Sequence, residues 1–240
     1  MKMPMPKASV YDREYDYLPW GDLMQKVLNL IIEHAPPNGL VADLMCGPGW
    51  LISNLADKRE DLTIHGVDIN HEYVRYANQR LKDKGGNVFV LRDDIHKWIP
   101  CRRYDVVVCT GGLHYLKISG QSNLVNKIAQ KIVISEGLVI FADPAISAYQ
   151  DEKTRRKRVT ELGAAYICEA IDRNAPKDVL EATVDILKTD LLGFKFKRKL
   201  FAMKDMYEHH FGSVEAIKVW PEYKTACGDY IFVCQKTQGL

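Results

Sequence analysis

Gly39-Leu-Val-Ala-Asp43-Leu-Met-Cys-Gly47-Pro-Gly49-Trp50 reads as a short strand that runs into a glycine turn. Leu40–Leu44 is mostly apolar, long enough for a buried strand and too short for a helix. Gly47-Pro48-Gly49 ends it, and Trp50, Leu51 and Leu55 open a helical pattern. Strand, glycine turn and helix N-terminus in that order leave bare backbone that a ligand can touch, which is the role expected of Gly47 and Gly49. A second strand-like run over 62–68 ends in Asp68. In a nucleotide-binding βαβ unit an acid in that place accepts hydrogen bonds from ribose hydroxyls. Read alone, the stretch also fits an ordinary strand-to-helix turn of an α/β protein.

A dinucleotide site is disfavoured. The Gly-x-Gly-x-x-Gly pattern would need glycine where Ile52 stands, and Asp43 sits at the end of the first strand. A carboxylate there repels a pyrophosphate and attracts an ammonium or sulfonium, so the ligand implied is a nucleoside carrying positive charge. An acid followed by a glycine-rich turn resembles the first motif of the class I S-adenosylmethionine-dependent methyltransferases. Asp43, Gly47 and Gly49 match it, and Met45 stands where that family usually has its first glycine.

Outward from this stretch, strands and helices alternate. Asn70 is placed to cap a helix carrying Tyr73, Ala77 and Leu81, which Gly85-Gly86 ends. Val88 to Leu91 forms a third strand, followed by Asp93-Asp94-Ile95. Tyr104–Thr110 is a β-branched run suited to the centre of a parallel sheet, and it breaks into Gly111-Gly112-Leu113-His114-Tyr115. A helix bearing Leu124, Val125, Ile128 and Ile132 and a fifth strand over 137–142 follow. Ligands of open α/β sheets bind beyond the carboxyl ends of the strands, which puts Gly47, Asp68, Asp94 and Gly111 on one edge. Ser213–Trp220 and 229–235, joined through Pro221, make an antiparallel hairpin.

The resemblance therefore implies a Rossmann-like α/β fold: a seven-stranded, mostly parallel sheet with an antiparallel last strand and helices on both faces. It implies S-adenosyl-L-methionine as cofactor, held by Asp43, Met45, Gly47, Gly49, Asp68, Ile69, Asp94, Ile95, Thr110 and Gly111. Asp94 would take the adenine amino group while Ile95 lines the ring. Members of the family often carry a tyrosine-rich leader that closes over the cofactor. Tyr11, Tyr15 and Tyr17 are candidates here, Tyr11 foremost, with packing of the leader onto the domain as the equal alternative.

Between the fifth and sixth strands the pattern changes to helices around 154–173 and Lys177–Leu191, longer than an α/β connection needs. The division expected is a leader over 1–38, a cofactor core over 39–143, a helical cap over 144–211 and a closing hairpin over 212–240. The cap holds two basic runs, Lys153-Thr-Arg-Arg-Lys-Arg158 and Phe194-Lys-Phe-Lys-Arg-Lys199. Such runs are most often solvated helix faces; the other reading is an anion-binding surface.

The chain has 240 residues, 47% of them hydrophobic and 27% charged, with a net charge of +2 and no apolar run of the ~20 residues that cross a membrane. The first seven residues lack the apolar stretch of a signal peptide, and the six cysteines show no metal-type spacing and read as reduced core residues. A cytoplasmic protein is expected. Its partner is a small-molecule methyl acceptor, with nucleic acid disfavoured by the near-neutral charge and a homodimer left open.

Methyl transfer from a sulfonium requires alignment and exclusion of water, and a base only when the acceptor must lose a proton. His114 is the candidate base, with a pocket-shaping role as the alternative, and Tyr115 the candidate orienting hydroxyl. His209 and His210 are expected at the surface, and no metal site is indicated. Two other classes stay open: a methyltransferase of a carrier-tethered, RNA or protein acceptor, and a non-catalytic cofactor-binding module.

Overall fold

The computed structural model describes residues 5–193 and 195–236. The basic run at 194–199 therefore begins on a residue outside the described set, and the reading of the first seven residues falls largely outside it.

Helices α1 (Ala8–Tyr17) and α2 (Pro19–His34) precede β1 (Leu40–Leu44), α3 (Trp50–Lys58), β2 (Thr63–Asp68), α4 (His71–Leu81), β3 (Val88–Arg92) and β4 (Tyr104–Thr110). A short turn of helix at Leu113–Tyr115 leads to α5 (Ile118–Lys127), which widens over Ile128–Ile132 before β5 (Val133–Ala145). Then come α6 (Glu152–Asp172), α7 (Lys177–Leu191), α8 (Leu200–Glu208), β6 (Ser213–Trp220) and β7 (Gly228–Gln235).

The seven strands form one sheet in the order β3-β2-β1-β4-β5-β7-β6. Strands β1 to β5 pair in parallel, and β7 runs antiparallel between β5 and β6. The expected Rossmann-like sheet is thus present, with the order reversing between β1 and β4, the place where open α/β sheets bind their ligands.

Both sheet faces are covered, which is why the central strands are apolar throughout. Val107, Cys109 and Phe141 pack toward α5 and α8 with Leu124, Met203 and Tyr207. Val106, Val108 and Ile140 pack on the other face with Leu23, Val27, Leu51 and Ala77. Tyr207 stacks on Phe141 with centroids 4.4 Å apart. Four cysteines are buried as expected, but Cys101 and Cys168 are exposed; all six are free thiols.

Asn70 caps α4 as its position predicts, accepting from the backbone N–H of Glu72 and Tyr73. α6 starts on a reciprocal cap between Asp151 and Thr154. Its basic run is a solvated face, since Arg155 and Arg156 pair with Glu152 and Arg158 pairs with Glu161.

α1 ties the core to the helices between β5 and β6. Ala8 N donates to Glu72 Oε1 at 3.1 Å, the Tyr73 hydroxyl donates to Pro6 O at 2.9 Å, and Asp12 pairs with Arg80 of α4. On its other side Arg13 pairs with Asp178 of α7.

Candidate active site

The turn after β1 holds three residues in the left-handed region: Met45 at φ 60°, Gly47 at 57° and Gly49 at 77°. Sequence reasoning expects both glycines to face a ligand, and the structure separates them. A β-carbon on Gly47 would find only the Tyr11 ring, 3.8 Å away. One on Gly49 would fall 2.9 Å from Ala77 Cβ. Glycine at position 49 is thus required where α3 meets α4.

Asp43 and Asp68 end adjacent strands. Asp68 accepts from Gly47 N at 2.9 Å through Oδ2 and from Asn70 N at 2.8 Å through Oδ1, so it shapes the turn. Asp43 is 2% exposed, and its Oδ1 has no hydrogen-bond partner. Burial pushes its carboxyl well up, and the neighbouring Asp68 adds to the shift. Two acids side by side, one with an orphaned oxygen, fit a cationic ligand.

Just past β2, Ile69 is 61% exposed. Asp94 is half-buried and accepts from His96 N at 3.0 Å. Ile95, expected to line the ring, is 6% exposed and belongs to the core cluster that holds Trp98. Thr110 closes β4 in register with Ala142, and Trp20 lies over Gly111, 2.8 Å from where a β-carbon there would sit. Tyr11 packs against Tyr15 and Tyr73, and Tyr15 lies 5.1 Å from Trp50. Tyr17 is half-buried at the end of α1.

Beside the loop after β4 is a cavity of about 90 Å³. Its walls include Glu14 and Leu18 from the leader, Tyr166 from α6 and Leu187 from α7, with His114 and Lys195 at its polar side. Gly163 lets α6 approach α7 there, since a β-carbon would fall 2.6 Å from a Leu187 methyl. Tyr115 also lines the space, its ring 4.4 Å from that of His114.

His114 is 8% exposed, and its Nδ1 lies 2.5 Å from Asp143 Oδ1. Asp143 lies near the end of β5, and sequence reasoning does not expect it as the partner of His114. No motif marks it, because the pair forms only when β4 and β5 lie adjacent. Its Oδ2 is buried with no hydrogen-bond partner. Burial pushes Asp143 up to about 8 and pulls His114 down, the latter helped by nearby Lys195 and Lys197. At pH 7 the pair is net neutral. Loss of one proton near pH 8 leaves Nδ1–H on the carboxylate and a lone pair on Nε2.

Lys195 and Lys197 are the second surprise. Residues 195–199 run extended beside Ile146, with Phe196 N donating to His114 O at 2.6 Å. Alternate side chains of an extended segment face one way, so the two lysines point inward together, at 4% and 7% exposure. His209 is exposed and His210 half-buried, away from the cavity. Among the described residues no group of three or more His, Cys, Asp or Glu could hold a metal, and no helix is long and apolar enough to cross a membrane.

Residues 41–133 match the model of a methyltransferase domain. Among curated relatives, YqeM of Bacillus subtilis strain 168, which carries the name of a methyltransferase, is 28% identical over 135 residues, 56% of this chain and 52% of that protein. This chain thus spans about half the length of YqeM. A carboxy-S-adenosyl-L-methionine synthase of Campylobacter lari is 23% identical over 190 residues, 74% of this chain and 79% of that protein. The fold resembles that of the N-methyltransferase NodS of Bradyrhizobium japonicum, solved with S-adenosyl-L-homocysteine. The TM-score is 0.60 at 12% identity, covering 90% of this chain and 86% of that one.

Proposed function

We propose that this chain, a class I S-adenosylmethionine-dependent methyltransferase, methylates a small molecule held in the cavity between α1, α6, α7 and the loop after β4. The observation that carries this reading is the cavity itself. It is walled mostly by apolar and aromatic side chains, it touches Gly111 at the carboxyl edge of β4, and it has His114 of the His114–Asp143 pair in its wall. The Campylobacter relative is named for making a small molecule, which agrees with this reading.

Asp43 and Asp68 suit the cationic and ribose parts of the cofactor, and the open side of Gly47 lets it approach the backbone. When bound, S-adenosylmethionine supplies an electrophilic methyl on sulfur, and its loss leaves S-adenosylhomocysteine. The protein aligns the acceptor and keeps water out: Tyr11, Trp20 and Leu18 form the leader's side of the cavity. Where the acceptor atom carries a proton, His114 accepts it at Nε2 while Asp143 holds Nδ1 and steadies the resulting imidazolium. Tyr115 orients the acceptor. In this reading residues 1–38 are the leader, 39–143 the cofactor core, 144–211 the cap and 212–240 the closing hairpin, in a cytoplasmic protein.

The test is transfer of a deuterated methyl group from S-adenosylmethionine into a cell extract, followed by mass spectrometry of its fractions. Label in the small-molecule fraction is expected. Label confined to RNA or protein would overturn the small-acceptor reading.

A further inference from the structure

Lys195 is a buried ammonium without a counter-ion. It is 4% exposed and lines the cavity. Among the described residues its Nζ makes no hydrogen bond and no ion pair within 4.0 Å; its close neighbour is the face of Tyr115, 4.8 Å to the ring centroid. None of the acids around it reaches its Nζ: Asp190 pairs with Lys197 and Asp143 with His114, each leaving one buried oxygen without a hydrogen-bond partner. Glu14 leaves Oε1 buried with no partner, and burial pushes its carboxyl up to about 8, so at neutral pH it is a protonated donor. Burial also pulls the Lys195 ammonium down, against the opposing pull of Asp190, Glu14 and Asp143.

An ammonium has three donors and no acceptor, and leaving them unmet away from water is costly. The cavity therefore offers one positive charge and a carboxyl O–H, walled by apolar and aromatic side chains such as Trp20, Leu162 and Tyr166. Both polar groups call for an oxygen acceptor bearing negative charge.

We propose that Lys195 and Glu14 bind the carboxylate of a small monoanionic acceptor, with its less polar body against the α6–α7 wall. The inference rests on the small-acceptor reading above, whose cavity it uses. Lys197, already neutralised by Asp190, holds Asp190 in place and does not contact the acceptor's charge.

The test compares acetate, butyrate and benzoate with acetamide, butyramide and benzamide, following binding by Trp20 fluorescence and calorimetry. At least one carboxylate should bind roughly tenfold or more tighter than its amide, as a charge-assisted hydrogen bond provides. Lys195→Met should erase that preference and raise the melting temperature of the ligand-free protein, because it removes an unpaired buried charge; a merely structural lysine would lower it. Equal binding of carboxylates and amides, no binding of either, or a preference that survives in Lys195→Met would overturn the proposal. Binding of S-adenosylmethionine is measured on the same preparations. Its absence would remove the methyltransferase reading, while the carboxylate preference reports on Lys195 alone.

Discussion

Met45 and Gly112 interlock the turn after β1 with the loop after β4. A β-carbon on Gly112 would lie 2.8 Å from Met45 Sδ and 3.0 Å from Met45 Cβ. Met45 itself takes φ 60°, the conformation for which glycine is favoured. The methionine that departs from the family's glycine therefore keeps the glycine's backbone and fills the space that Gly112 leaves.

Gly112→Ala should destabilise the protein by about 1–3 kcal/mol, the usual cost of overpacking. Adding Met45→Gly should recover much of that, since it removes both clashing atoms and the strain. Chemical denaturation of the two single variants and the double variant gives the coupling energy. A coupling near zero would mean that the two loops do not meet.

The two glycines should respond differently. Gly49→Ala should lower stability by more than Gly47→Ala, because its β-carbon meets Ala77 as well as a left-handed backbone. Gly47→Ala should cost stability only about 1–3 kcal/mol of backbone strain, and it should weaken S-adenosylmethionine binding more than its effect on folding explains. Thermal unfolding beside calorimetry decides; equal unfolding losses would contradict the Ala77 contact.

Asp43→Asn should move folding and binding in opposite directions. The Asp43 carboxyl is pushed up, so the ligand-free protein loses stability as pH rises from the ordinary carboxylate range through the raised value. Removing the charge should stabilise the ligand-free protein at pH 8 and weaken the cationic cofactor. Glu14, raised to about 8, behaves alike: Glu14→Gln should be neutral at pH 4 and stabilising at pH 9, by at least about 1.4 kcal/mol, the value of one pKa unit. Melting curves across that range test both. A stability rise with pH that either variant abolishes would reverse the sign and refute the burial argument.

For an acceptor that must lose a proton, the rate should rise through about pH 8 rather than level off near the ordinary imidazole value, because the pair frees Nε2 only on losing its proton. His114→Gln should remove the rise and cut kcat by about 10²-fold or more. Asp143→Asn should shift the midpoint down, since the group that loses the proton is gone. Steady-state rates against pH in the three proteins check this, and an unchanged profile in His114→Gln would exclude the base.

What the sequence determined by itself is the parallel core. Leu40–Leu44 and Tyr104–Thr110 are apolar because both faces of the sheet are covered, and that burial leaves a local trace in composition. Asn70 and the glycine turn are legible for the same reason, since caps and left-handed backbone act within a few residues. Tertiary structure decided the rest. Gly49 is answered by Ala77, Asp143 becomes His114's partner only through the β4–β5 pairing, and Ile95 turns into the core. Lys195 and Lys197 belong to a run that reads as a solvated face, and the extended path of 195–199 beside Ile146 turns both inward. Charge and polarity are local properties. Whether a charge meets water or a cavity depends on which distant segment packs over it.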